Sequence, residues 1–229
     1  MSATVSRLTL SLAALLLSVV ACSKPDAPPQ DPDTVLAAAK NQLDSTSGVS
    51  LALATEQLPQ GVDGLKAATG VGTHAPAFEG TVDLVINDLA VEVPVVAVDG
   101  LVFAKLPFTN SYSEIDPAEY GAPDPASLMD PSRGLSSWLT QATDVRRDGQ
   151  VREGDAVLTA YTGTLPGRVV RRSIPGAAAS ADFEVTFNVA DTGQLHSAVV
   201  SGPFYSDAGT VEYTVTFTKY GTQREISRP

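Results

Sequence analysis

A single cysteine in 229 residues excludes an internal disulfide, whatever the redox state of the compartment. Histidine is almost as scarce. His74 stands in a loop with Gly, Ala and Pro, and His196 alternates with Leu195 along a strand. Both read as surface or packing residues, and no His pair or Cys cluster has metal-ligand spacing. No G-x-S-x-G elbow, phosphate loop or dinucleotide fingerprint occurs. Carboxylates are plentiful, but a catalytic pair cannot be chosen without distances. The chain is therefore expected to be no enzyme, and to use no cofactor and no metal. Basic residues are few, 15 against 26 acidic for a net charge of −11, which argues against a nucleic-acid partner. Aromatics make up only 6%, so Val, Ala, Leu and Thr must build most strands. Beyond the first, no apolar run approaches the length of a membrane span.

That first run decides how the remainder is read. Arg7 supplies a positive charge, Leu8–Val20 is almost wholly apolar, and the run stops at Val19-Val20-Ala21-Cys22. About a dozen apolar residues fall short of the roughly 20 that a spanning helix needs. A charged start, a short apolar core and a small residue at the cut describe a secretory signal. The pattern Val-Val-Ala-Cys resembles the lipobox of bacterial lipoproteins. That resemblance implies cleavage before Cys22, diacylation of its thiol and acylation of the new amino end. More than one acyl chain is what stable anchoring requires. The expected organisation is a signal peptide over 1–21, a lipidated Cys22 with a proline-rich tether over 22–32, and one domain over 33–229. The tether (SKPDAPPQDP) is extended and semi-rigid. The mature chain is expected on the cell membrane, lipid-anchored on the extracytoplasmic face, as a monomer.

Asp33 reads as an N-cap, with Val35, Leu36, Ala39 and Leu43 at helical spacing up to Gly48. The period then switches to two. Val49–Leu58, Leu65–Val71, Phe78–Ile86, Val91–Val98 and Leu101–Leu106 read as strands. Asp99-Gly100 is the sharpest hairpin signal, since both turn positions favour positive φ. Pro94 argues for an edge position, a bulge or a break. After a polar, proline-punctuated passage over 110–131, Asp130-Pro131 opens a helix with Leu135, Trp138, Leu139 and Ala142 on one stripe. Val145–Arg152 and Ala156–Gly163 follow as strands, then a short helix over Pro166–Ile174. Phe183–Val189, Leu195–Ser201 and Val211–Tyr220 close the chain. About eleven strands with short turns and three helices give an α+β fold with one large antiparallel, meandering sheet.

The last strand alternates Val211, Tyr213, Val215 and Phe217 against Glu212, Thr214, Thr216 and Thr218. One face is therefore dry and must be covered. Three short helices are thin cover for such a sheet. Small aliphatics under thin cover fit either an ordinary packed core or an apolar hollow. Arg146, Arg147, Arg152, Arg168, Arg171 and Arg172 fall within a short span of an acidic chain. They read either as solvated surface charges paired with carboxylates or as a rim for phosphates, which suit arginine's planar fork.

Four stretches, in this order, carry a further resemblance. They are Val98-Asp99-Gly100-Leu101-Val102-Phe103-Ala104-Lys105-Leu106, Asp130-Pro131-Ser132-Arg133-Gly134-Leu135, Asp148-Gly149 through Tyr161-Thr162-Gly163, and Thr216-Phe217-Thr218-Lys219-Tyr220-Gly221. With their spacing the chain resembles the LppX/LprAFG lipoproteins of mycobacteria and related actinobacteria. Members look like the LolA/LolB carriers, half-open β-barrels cupping helices around a large apolar cavity. The resemblance implies a carrier that shuttles acylated lipids or lipoglycans between the inner membrane and the outer envelope. A membrane transporter is a candidate partner. The runner-up is an exporter-accessory or envelope-assembly lipoprotein with no transfer of its own. The chain departs from longer members at Pro59–Pro76, so the pocket mouth is expected to differ.

Pattern and resemblance together select the expected cavity lining. Val82, Leu84 and Ile86 face the covered side, since Thr81, Asp83 and Asn87 sit better in water. Val93, Val95, Leu101, Phe103, Val185 and Phe187 join them, with Leu135, Trp138, Leu139 and Val170 as a lid. Arg146, Arg147, Arg168, Arg171 and Arg172 are the candidate headgroup contacts.

Overall fold

The computed structural model describes residues 30–120, 122–205 and 209–229. The leader and Cys22 lie outside the described residues. Helix α1 spans Pro32–Ser45. Its N-cap is Asp31, not Asp33: the Asp31 carboxylate accepts from the Thr34 amide at 3.1 Å, and Pro32 takes the first helical position, where no amide is missed. Gly48 opens the first strand instead of closing the helix.

Strands β1 (Gly48–Ala54), β2 (Gly64–Thr73), β3 (Ala77–Ile86), β4 (Leu89–Val98), β5 (Leu101–Ala104) and β6 (Ser113–Ile115) run as a meander. Helix α2 (Trp138–Gln141) precedes β7 (Thr143–Glu153) and β8 (Ala156–Pro166), and α3 (Gly167–Ser173) leads to β9 (Asp182–Ala190), β10 (Leu195–Gly202) and β11 (Val211–Thr218). All pairs are antiparallel. The eleven strands stand in the order β6-β5-β4-β3-β2-β1-β11-β10-β9-β8-β7. The sheet is open, with β6 and β7 at its edges.

The short β6 lies in the polar passage that the pattern left without a strand. In that passage Pro125–Met129 also forms a 3-10 turn, capped by Asp124. The helix expected at Asp130 begins later, as a 3-10 turn over Leu135–Ser137 running into α2. Asp130 instead accepts from the Ser132 hydroxyl and amide. Those bonds hold its carboxyl down to about 2, chiefly through the Ser132 hydroxyl and then its amide. Asp99-Gly100 makes the expected hairpin with φ of 55° and 72°. Asn87-Asp88, with φ of 50° and 62°, joins β3 to β4 in the same manner.

Pro94 breaks nothing. The β3–β4 register runs without interruption from Ala77↔Val98 to Ile86↔Leu89. The Pro94 carbonyl accepts from the Lys105 amide at 3.0 Å, so its ring nitrogen also faces the β5 side. There β5 is ending, and the missing donor costs no ladder bond.

One face of the sheet carries the main core; α1, α2, α3 and the 125–129 turn lie on it. On the other face Ala77, Val96 and Val98 form a smaller cluster with Phe103, Tyr112 and Ile226. The segment after β11 crosses that outer face. Arg224 meets Glu79 at 2.7 Å and Arg228 meets Asp99 at 3.2 Å.

Candidate functional site

The covered face divides into two halves of different finish. Over β8, β9 and β10 the core is closed: Phe183, Leu165 and Val170 are fully buried, and Phe187, Val185 and Val200 nearly so. Helices α2 and α3 cover this half and are stapled together. The Trp138 indole donates to Ser173 Oγ at 3.1 Å, and Ser173 donates on to the Arg133 carbonyl. Burial pushes the Tyr161 phenol up, with the Arg147 charge pulling partly the other way.

Over β1 to β4 the cover thins to the 3-10 turn at Pro125–Met129. Small residues line this half at period two. A side chain at Gly70 or Gly80 would strike the Phe78 ring, at 2.5 and 2.8 Å respectively, and one at Gly72 would strike Met129 at 2.7 Å. Phe78 and Met129 thus fill the space those glycines leave. Farther along the strands nothing does. Leu53, Val82, Leu84 and Val91 are only partly buried against the core, and Ala68, opposite Val82, is partly exposed.

The last pair of the stripe, Ile86↔Leu89, is 36% and 68% exposed. From Val95 and Val93, both 6% exposed, to Leu89, one apolar stripe runs from the core into solvent. This partly exposed stripe on β1–β4, hereafter the trough, is open to solvent at this end. At its β11 side two tyrosines seal the sheet end: the Tyr213 hydroxyl donates to the Leu65 carbonyl and meets Tyr205 at 2.8 Å. Leu65 in turn donates its amide to Tyr205 at 3.0 Å. Burial, and then the bond to Tyr205, push the Tyr213 phenol far above its ordinary range, so this clasp stays neutral.

The expected lining residues separate accordingly. Val82, Leu84, Ile86, Val93 and Val95 fall on the trough stripe. Leu135, Trp138, Leu139, Val170, Val185 and Phe187 are packed in the closed core, and the first four cover that half and not the trough. Leu101 and Phe103 require correction. Val98↔Leu101 and Val96↔Phe103 are direct partners, and direct partners share a face. Val96 and Val98 belong to the outer cluster, so Leu101 and Phe103 lie outside; Val102 and Ala104 face the core.

The residues missed were Leu53, Leu58, Leu65, Ala68 and Val91. The Val91, Val93, Val95 alternation was readable. Leu65 was hidden by the bulge between Leu65 and Ala67 that shifts the β2 register, which reverses the alternation around Lys66.

A separate depression of about 400 Å3, lined by residues such as His196, Lys219 and Tyr220, shares no residue with the expected lining. His196 Nε2 stands 3.1 Å from Glu153, off hydrogen-bonding angle, and His74 Nε2 bonds to the Leu43 carbonyl at 2.8 Å. Among the described residues no cluster of His, Cys, Asp and Glu could hold a metal. Arg146, Arg147, Arg168, Arg171 and Arg172 lie on β7 and α3, beside the closed half. Five strands separate β7 from β2.

The family model for the LppX_LprAFG lipoproteins matches residues 31–227. A protein of Mycolicibacterium hassiacum named lipoarabinomannan carrier protein LprG is 30% identical, with 98% of each chain covered. Its namesake in Mycobacterium tuberculosis is 24% identical over 92% of this chain and 89% of its own. Among solved structures, LprF from Mycobacterium bovis aligns with a TM-score of 0.66 at 16% identity, covering 86% of this chain and 96% of LprF. LppX from M. tuberculosis aligns at 0.61 and 20% identity, covering 86% of this chain and all of LppX. At such identities the two structures speak for the fold alone.

Proposed function

Because the chain belongs to the LppX/LprAFG lipoprotein family, we propose that it is a membrane-anchored carrier of an acylated lipid or lipoglycan. The observation that carries this reading is the apolar stripe graded from core to solvent along β3 and β4. Leaving apolar area in water is unfavourable by roughly 25 cal/mol per Å2. Acyl chains laid along Val82, Leu84, Val91 and Leu53 would remove that exposure, each buried methylene contributing about 0.8 kcal/mol. A trough open at one end suits a carrier, since a ligand with a bulky polar head can leave that head in water. Two curated relatives are named as lipoarabinomannan carriers, which supports a lipoglycan among the ligands.

Acylation of Cys22 would keep the carrier at the extracytoplasmic face of the membrane, and the proline-rich segment after it would set the working distance. A membrane transporter is the natural partner for loading or hand-off. No part of this function requires a catalytic group. Organic extraction of the purified processed chain, followed by mass spectrometry, tests the proposal. Di- or triacylated species at near-stoichiometric amounts are expected. A stable chain that carries no lipid would contradict carriage and favour an accessory role.

A further inference from the structure

Two features lie at one end of the strands, the first of them at the open mouth of the trough. The first is apolar. The β3–β4 turn ends in Ile86 and Leu89. The chain leaving β5 passes through Leu106, 37% exposed, to Phe108, which is fully exposed and has φ of 65°. A lone exposed Leu is ordinary. Four large apolar side chains flanking one turn and following β5, one an aromatic in a left-handed conformation, are not.

The second feature is charge. Arg168, Arg171 and Arg172 lie on α3, and Arg146 and Arg147 on β7; all five are exposed. Among the described residues none has a carboxylate within 4.0 Å, although Asp144 and Asp148 share the strand. Arg171 and Arg172 have only neutral partners, the Ala177 carbonyl and the Gln141 amide oxygen, each at 3.2 Å. In a chain of net charge −11, the three α3 arginines, with Arg147 on the same face of the sheet as Tyr161, form a local positive patch, and Arg146 lies on the other face.

The register places both features at the same end of the strands, toward opposite edges of the sheet. Thr143↔Thr164, Thr164↔Glu184 and Ser201↔Glu184 lead across β7, β8, β9 and β10. Ser201↔Glu212, Ala54↔Thr214, Ala54↔Ala67 and Gly64↔Val85 continue to β3. The start of β7, the entry to α3 and the β3–β4 turn thus share one end of the ladder, and β5 runs toward that end, leaving the sheet at Ala104 opposite Val95. We propose that this end is a docking face for an anionic phospholipid bilayer. Phe108, Leu89, Leu106 and Ile86 enter the interface, and the β7–α3 arginines meet lipid phosphates. Apolar insertion and electrostatic attraction to anionic lipid together set such binding. The trough opens at the same end, so docking would present it to the bilayer.

The test uses the chain from Ser23 onward, which lacks the leader and the acylation site. Every helix and strand of the described residues lies between Pro32 and Thr218, so this chain keeps the described fold. Tryptophan is placed at either end of the strands, as Phe108→Trp or, as control, Val151→Trp. Val151 is a 45% exposed apolar residue that pairs with Leu158 near the opposite end of β7. Native Trp138 is buried and supplies a constant background. Vesicles contain phosphatidylglycerol and phosphatidylcholine in equal parts, with brominated acyl chains.

Emission from Phe108→Trp is expected to shift to the blue and be quenched, while that from Val151→Trp is not. Quenching should fall on phosphatidylcholine alone. Arg168→Gln with Arg172→Gln should weaken binding to the mixed vesicles by roughly fivefold per arginine, from about 1 kcal/mol each. No quenching of Phe108→Trp, equal quenching of Val151→Trp, or binding indifferent to both arginines and anionic lipid would overturn the proposal. None of these readouts depends on whether the trough holds a ligand.

Discussion

The β8–β10 half and the β1–β4 half of the covered face come from one meander with one alternation, yet they finish differently. In the first, Phe183 and Phe187 project from β9, and two stapled helices close over them. In the second, glycine and alanine stand at Gly70, Gly72, Gly80 and Ala68, and a single 3-10 turn lies on top. Size of side chain and extent of cover change together. A closed core buys stability; an open stripe of valines and leucines forgoes part of it and leaves apolar surface for something else to cover. The difference locates the site better than any single residue does.

The contrast predicts unequal penalties for the same kind of truncation. Phe187→Ala in the closed half should cost about 3–5 kcal/mol. Leu84→Ala in the trough, already partly in water, should cost about 1 kcal/mol or less. Urea unfolding of the two variants checks this, and equal losses would erase the distinction between halves.

A smaller effect is expected where the trough floor is tight. A methyl at Gly80 would stand 2.1 Å from the Thr69 carbonyl oxygen and 2.7 Å from the Gly70 Cα. Backbone cannot swing aside, so Gly80→Ala should cost on the order of 1–3 kcal/mol. An unchanged melting temperature would show that the β2–β3 spacing is looser than described.

The smallest effect concerns neither half but the turn that leads the chain from the trough cover to the closed half. Asp130 is held at about 2, below its ordinary value near 3.9. A depressed carboxyl contributes stability above the unfolded value that is lost as pH falls through the folded one. The gap in thermal midpoint between the parent and Asp130→Asn should therefore be present at pH 7 and shrink between about pH 4 and pH 2. A gap that stays constant over that window would contradict the assignment.

Much of the architecture was legible because alternation and turn chemistry agree with the final packing. Ten of the strands are readable from period two and turn residues, and Asp99-Gly100 fixes the β4–β5 register. The same two-residue turn pairs Leu101 with Val98, which puts Leu101 and Phe103 on the outer face and not in the expected lining. Short 3-10 turns carry no periodic signal, so Pro125–Met129, which covers the trough among the described residues, was not readable. The β2 bulge hid Leu65 for the same local reason. Pattern also cannot say which covered strands are covered well; that depends on where three helices land. So Leu135, Trp138, Leu139 and Val170, expected as a lid, lie buried over the closed half.

The central claim is that the β1–β4 half has room for acyl chains while the β8–β10 half has none. One substitution placed in each half tests it directly: Val82→Trp and Val185→Trp, with melting temperature and bound lipid measured on the same preparations. Val185 is 2% exposed in the closed core, where an added indole should cost on the order of 1–3 kcal/mol or more. Val82→Trp should leave the melting temperature nearly intact and sharply reduce the lipid carried. Equal destabilisation of the two variants, or normal lipid loading in Val82→Trp, would contradict the account.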